Sequence, residues 1–219
     1  MFKDNIVFIK EFLREFQATG TAFPTSKWAA KALTSPINQR KERPHLKILE
    51  LGPGTGAVTL RILERMHPGD ELTLCEINPR FMEVIKEKIQ ESPLALPHLA
   101  NINYHCCPVQ ELPENDKFDV IICAIPFLNL ERSTVEEIFA KLKNISSSET
   151  IMTYYEYIGL RSVGKVVSPP KRKKRIRELD LFFRGLFSTH LSFKTRIWLN
   201  LLPINIYVLK RIDNMKIAA

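Results

Sequence analysis

Three of the chain's eight glycines fall in one five-residue window, Gly52-Pro53-Gly54-Thr55-Gly56, directly after the run KILEL and ahead of a helical pattern. Glycines there allow a tight turn with positive φ and let a ligand approach the backbone where a Cβ would otherwise stand. Glu76 closes the next apolar run, 24 residues after Gly52, where a carboxylate can accept both hydroxyls of a ribose. This spacing serves nucleotide binding. Gly52, Gly54 and Ala57 also satisfy the G-x-G-x-x-G/A dinucleotide pattern, but Glu50, an anion just before the loop, opposes a pyrophosphate and suits a cationic ligand end. The run Ala124-Ile125-Pro126-Phe127-Leu128-Asn129 follows a later strand pattern and should line a second-substrate pocket, because parallel sheets bind ligands at the carboxyl ends of their strands. Tyr154, Tyr155, Glu156 and Tyr157 are candidates for the same pocket, though alternation sends neighbouring side chains to opposite faces.

Positioning these residues takes alternating strands and helices, the pattern of a parallel sheet with crossover helices. Strands are predicted at Lys47–Leu51, Leu72–Ile77, Ile102–Cys107, Phe118–Ala124, Thr150–Tyr157, Phe193–Leu199 and Ile204–Lys210, and helices at Ala57–Met66, Pro79–Glu91, Ser133–Lys143 and Lys173–Phe187. Leu201 to Pro203 is too short for a crossover helix, so the last two strands form an antiparallel hairpin. The fold class is therefore α/β: a Rossmann-like, seven-stranded, mostly parallel sheet with helices on both faces and an antiparallel C-terminal hairpin. Ahead of it, Ile6, Ile9, Leu13 and Phe16 stand at helical spacing, with Phe8 and Phe12 widening the apolar face, which predicts an amphipathic helix over 3–16. A second helix is predicted over Ser26–Leu33 and a polar loop over Asn38–Pro44. Residues 1–40 thus read as a helical extension and candidate membrane-surface anchor, and residues 41–219 as the ligand-binding domain.

With 219 residues, 45% hydrophobic and 26% charged, the chain can bury one ordinary core, which excludes disorder and a disulfide-stapled miniprotein. Its apolar runs fall short of the ~20 residues of a spanning helix. Asp4, Lys10 and Glu11 interrupt the N-terminal apolar stretch, so no signal peptide is expected and the protein should be cytoplasmic. Cys75, Cys106, Cys107 and Cys123 form no C-x-x-C pair and read as buried reduced thiols, and no metal site is expected. The formal charge is +8, yet the window 161–196 alone holds eleven Lys or Arg against Glu178 and Asp180, a local +9 that leaves the remainder at −1. Such a block suits a polyanion, either a lipid surface or a nucleic acid.

Glu50 can receive the ammonium or sulfonium end of S-adenosylmethionine. The run ELGPGTG, with Glu76 and the terminal hairpin, resembles motif I and the fold of class I S-adenosylmethionine-dependent methyltransferases. The resemblance implies Glu50, Gly52, Gly54 and Gly56 around the methionine part, Thr55 in the same loop, and Glu76 on the ribose with Ile77 beside it. Where that family usually carries an acidic adenine contact this chain has Pro108, so adenine recognition falls to backbone near Val109, to Gln110, or to stacking. FLREFQATGTAFPTSKWAAKAL, ILELGPGTGAVT, AIPFLNL and LNLLPINIYVLKR together resemble the soluble bacterial phospholipid N-methyltransferases, which convert phosphatidylethanolamine stepwise toward phosphatidylcholine. That resemblance implies an amine acceptor bound by Ala124, Ile125, Pro126 and Phe127, with Tyr154 and Tyr155 as candidate catalytic residues. It also implies an anionic membrane surface as partner, and a peripheral position on the inner face of the membrane. ELGPGTGAVT and CEINPRF also resemble the rRNA adenine dimethyltransferases, so RNA adenine N6-methylation stays open. Ala124 weakens it, since the position that binds the target nitrogen there cannot hydrogen-bond by side chain. Methylation of a small-molecule amine, and a non-catalytic membrane-associated S-adenosylmethionine-binding protein, are the further alternatives.

Overall fold

A computed structural model describes residues 25–40 and 43–216. The amphipathic helix predicted over 3–16 lies outside the described residues. Seven strands form one sheet: β1 (Lys47–Leu51), β2 (Glu71–Cys75), β3 (Ile102–His105), β4 (Phe118–Cys123), β5 (Ser146–Tyr157), β6 (Leu191–Ile197) and β7 (Ile204–Lys210). They are ordered β3-β2-β1-β4-β5-β7-β6. Pairing is parallel from β3 through to β5, while β7 runs antiparallel to both β5 and β6. This is the expected fold class. Strand order reverses between β1 and β4, the place where a doubly wound sheet opens a crevice.

The helices are α1 (Lys27–Leu33), α2 (Ala57–Leu63), α3 (Pro79–Glu91), α4 (Arg132–Asn144), α5 (Leu160–Val167) and α6 (Pro170–His190). Successive residues of β1 serve opposite faces. Ile48 joins a core with Ile62, Leu74, Ile85 and Ile122, whereas Leu49 and Leu51 join a second core with Ile121, Phe139, Phe183 and Tyr207. Two covered faces explain why β4 carries VIIC as an unbroken apolar run with no alternation. Asn78 caps α3 by accepting from the Arg80 amide at 3.0 Å, with Pro79 at the first helical position. Gly56 starts α2 with φ +84°, and a Cβ there would meet Ile85 Cδ1 at 2.2 Å.

Several elements depart from expectation. The strand β5 begins at Ser146, ahead of the predicted Thr150, with a register shift against β4. The helix α6 is six residues longer than predicted, and it buries Ile176, Leu179, Phe183 and Leu186 on one stripe. The helix α5 was not expected. Its LRSVGKVV is poor in strong helix formers, but Gly164 lets it sit against α6, where a Cβ would lie 2.6 Å from Ile176 Cδ1. The thiols are all free, but only Cys75 and Cys123 are buried: Cys106 is exposed because β3 stops at His105. The helix α1, within the segment read as an extension, packs onto the sheet. Ala29, Ala30, Leu33 and Ile37 are buried in the core that holds Ile48, and Thr153 Oγ1 in β5 donates to the Leu33 carbonyl at 2.8 Å.

Asp70 ties this N-terminal region to the sheet. Its fully buried carboxylate accepts from Arg40 at 2.9 and 2.5 Å, from the Leu46 amide at 2.9 Å and from the His67 amide at 2.8 Å. Burial pushes this carboxyl up, but the Arg40 guanidinium and the two amides outweigh it and hold it below the usual range. A depressed folded-state pKa contributes stability that is present above the unfolded value of 3.8 and lost as pH falls through the folded value. Asp70→Ala is expected to lower the unfolding free energy by about 3 kcal/mol at pH 7, with the loss shrinking as pH falls below the unfolded value and through the folded one, as read from urea titrations over a descending pH series.

Candidate active site

Three ladder bonds continue one residue past the strands. The Gly52 amide donates to Cys75 O at 2.9 Å, the Glu76 amide to His105 O at 3.1 Å, and the Ala124 amide to Leu51 O at 2.8 Å. They align the glycine loop, the acidic residue and the acceptor loop along one sheet edge, around a cavity of about 520 Å³. Gly52, Gly54 and Thr55 line it from the loop, Glu76 and Ile77 from after β2, and Val109 and Gln110 from after β3. Ala124, Ile125 and Pro126 face them from after β4, and Tyr155 from β5. Thr25, Phe81, Cys107 and Thr134 also line the cavity and were not anticipated. Their only signal was position, at the start of α1 and α4, at the head of α3 and just past β3.

Four expected site residues lie elsewhere. Tyr154 is fully buried among Phe127, Phe183 and Tyr207 on the opposite face of β5 from Tyr155, so strand parity removes it from the site. Phe127 is 2% exposed and turned into the same aromatic core, touching Phe139 at 5.3 Å, because the turn Phe127–Asn129 folds its ring under the loop. Gly56 shapes the loop from below, against Ile85. Glu50 sits wholly buried behind the loop.

The carboxylate of Glu76 is held from both sides. Its Oε2 accepts from the Gly54 amide at 3.2 Å and its Oε1 from the Asn78 amide at 2.9 Å. An ionised carboxylate has about four acceptor positions, so two remain for a vicinal diol. Beside it Ile77 is 69% exposed and presents an apolar face that suits a flat purine. Glu50 Oε2 accepts from Thr59 Oγ1 at 2.7 Å, while its Oε1 is buried with no partner. Burial pushes this carboxyl up to about 8, and the Glu76 charge adds to the rise against the Thr59 bond. A buried acid with an orphaned oxygen beneath an open glycine cradle fits the cationic end of S-adenosylmethionine, and no lining residue obstructs the cradle. A Cβ on Gly54 would meet nothing within 4 Å. Bound there, the cofactor supplies an electrophilic methyl group on a sulfonium.

Among the described residues that line the acceptor half, none is a strong base. Burial raises the Tyr155 phenol well above 10 and raises the Cys107 thiol, so both keep their protons at neutral pH. Ala124, Ile125 and Pro126 offer no side-chain hydrogen bond. Catalysis on this wall rests on holding the acceptor atom in line with the methyl group, a proximity effect.

Residues 48–147 match a family model described as a methyltransferase domain. The chain is similar to the O-methyltransferase TomG from Streptomyces achromogenes, solved with S-adenosylmethionine, with a TM-score of 0.61 and 17% identity over 90% of this chain and 85% of that one. An O-methyltransferase from Bacillus cereus, solved with S-adenosylhomocysteine, has a TM-score of 0.62 and 15% identity over 92% and 90%. Fold, glycine loop and matches agree on an S-adenosylmethionine-dependent methyltransferase domain over residues 48–147. Among curated relatives, an ornithine lipid N-methyltransferase from Singulisphaera acidiphila is 22% identical over 149 residues, 65% of this chain and 72% of that protein. A malonyl-[acyl-carrier protein] O-methyltransferase from Anoxybacillus flavithermus is 26% identical over 60% of this chain, which spans 48% of that relative's length.

Two outcomes follow from this geometry. Glu76→Ala removes two charge-assisted bonds and should weaken S-adenosylhomocysteine binding by about 100-fold in calorimetry while the melting temperature holds within a few degrees. Glu50 has a folded-state pKa near 8 against 4.5 unfolded, so the folded chain retains a proton that the unfolded chain releases. Its contribution is intact below pH 4.5 and is lost as pH rises toward 8, on the order of 3 kcal/mol at pH 7 in the cofactor-free protein. Glu50→Gln should match wild type near pH 4.5 and exceed it in urea midpoint at pH 8.

Proposed function

We propose that the chain methylates the amino group of a phosphatidylethanolamine-type lipid at an anionic membrane surface. The observation that carries this reading is the tip of the β6–β7 hairpin. Trp198, Leu199 and Leu201 are 64%, 66% and 63% exposed there. Asn200, between them, accepts from the Ser26 amide through Oδ1 at 2.9 Å, and Ser26 adjoins Thr25 at the cavity rim. An apolar projection is thereby fixed at the mouth of the methyl-transfer cavity. An indole suits the membrane interface, where one end of the ring is wet and the other dry.

Exposed Lys171, Lys174 and Arg177 on α6 supply a second, electrostatic attraction, about 1 kcal/mol per cation near an anionic leaflet. Among the described residues no helix is long and apolar enough to cross a membrane, so these are surface contacts. The relative that acts on ornithine lipid, by its name, supports an amine borne by a lipid. The acceptor wall supports it too, since Ala124-Ile125-Pro126 cannot read the polar edge of a nucleobase through side chains.

Purified protein with radiolabelled cofactor should transfer label to phosphatidylethanolamine in anionic vesicles. Incorporation into RNA in place of lipid overturns the proposal. The double variant Trp198→Ser, Leu199→Ser should lose vesicle sedimentation and lipid methylation by about tenfold or more while keeping wild-type S-adenosylhomocysteine affinity, because each large apolar side chain withdrawn from the interface forfeits ~1.5–3 kcal/mol.

A further inference from the structure

A second, smaller cleft adjoins the methyl-transfer cavity across Pro126 and Tyr155, which line both. Its volume is about 30 Å³. A water needs roughly 10–15 Å³ on this measure, so the cleft has room for about two waters or one tetrahedral oxyanion. Its walls are Asn129 from the acceptor loop, Glu156 at the end of β5, Leu160 in α5, and Arg172 with Ile176 in α6.

The charges facing this cleft do not balance. Glu156 is buried, and its Oε1 is already bonded to Arg161, which also reaches Asp180 at 3.3 Å. Lys165 and Arg184 complete that cluster by pairing with Asp180 at 2.6 and 3.0 Å. Arg175, one turn along α6, pairs with Glu131 at 3.2 Å. Arg172 alone of these cations has no ion pair among the described residues; its Nε is buried without a hydrogen-bond partner, as are those of Arg161 and Arg175, whose other guanidinium nitrogens are paired. Burial and the neighbouring Arg175 charge lower the Arg172 pKa, the mark of a cation set where its charge is disfavoured. A guanidinium half withdrawn from water with no anion opposite is costly unless a ligand supplies one, and its planar fork matches an oxyanion.

We propose that this cleft binds the oxyanion of the substrate's head group and that Arg172 is its receptor. The amine, a few bonds from that anion, then passes between Pro126 and Tyr155 into the methyl-transfer cavity. The inference rests on the amino-lipid reading and sharpens it: the acceptor is an amine with a nearby oxyanion, either a phosphodiester or a carboxylate. Arg172 acts as a specificity and positioning residue, distant from the transferred methyl.

The test uses the full chain loaded with S-adenosylhomocysteine, titrated calorimetrically with glycerophosphoethanolamine, with N-α-acetylornithine, and with ethanolamine as the anion-free control. Arg172→Gln should weaken binding of the preferred anionic probe by at least about tenfold, the scale of one charge-assisted bond, and Arg172→Lys by less. Lys174→Ala removes the same charge from a side chain that is 81% exposed and should leave that binding within about twofold. Ethanolamine should bind weakly and equally to all. The probe with the greater Arg172 dependence tells phosphodiester from carboxylate.

Equal losses in Arg172→Gln and Lys174→Ala overturn the subsite, as does unchanged binding in Arg172→Gln or the absence of saturable binding of either anionic probe to wild type. Melting temperature and S-adenosylhomocysteine affinity should not move in any variant. Failure of the lipid reading itself shows separately, as wild-type protein that transfers no label to vesicles.

Discussion

The site depends on the register of the central parallel strands. Because β1 lies between β2 and β4, each can lend a carbonyl or an amide to the residue that leaves its neighbour. That arrangement sets Gly52, Glu76 and Ala124 side by side although they are separated by up to 72 positions in the chain. A slip of one residue in any strand would carry every side chain to the wrong face and draw the polar edge into the core. The two apolar clusters resist such a slip from both sides, so the packing that stabilises the sheet also aligns the cofactor and acceptor halves.

Charge is handled in two contrasting ways. Glu156, Arg161 and Asp180 are withdrawn from water as a connected cluster, and the Arg161 guanidinium also lies 4.6 Å from the centre of the Phe183 ring. Glu50 and Arg172 are withdrawn with no opposite charge paired to them among the described residues, one behind the cofactor loop and one at the smaller cleft. Paired charges make structure here. These two stand next to cavities, where a ligand of opposite charge can complete them.

How legible this was from residues alone depended on how local the controlling physics is. The glycine loop, Glu76 and the run of parallel strands could be read because turn geometry and strand hydrophobicity act over a few positions. The choice between Tyr154 and Tyr155 needed the parity of β5, which depends on a strand start at Ser146 that its polar SSSET does not announce. The helix α5 escaped because its stability comes from close packing of Gly164 on α6, and propensity says nothing of that. The burial of Phe127 follows from a single turn after Pro126, and the isolation of Arg172 from where Glu131 and Asp180 spend their charges. None of these can be seen in spacing.

Among the described residues no strand pairs with the outer side of β6, which leaves one row of its amides and carbonyls open, and Phe193 on it is 59% exposed. A bare edge of this kind invites a strand from a second copy. Lys194 and Arg196 punctuate it, with the Lys194 ammonium held 5.2 Å from the centre of the Tyr207 ring. Positive charge there makes a second copy of the same edge an unfavourable neighbour while leaving an anionic surface a favourable one. The strand that carries the apolar hairpin tip thus bears charges that repel a second copy of its own edge.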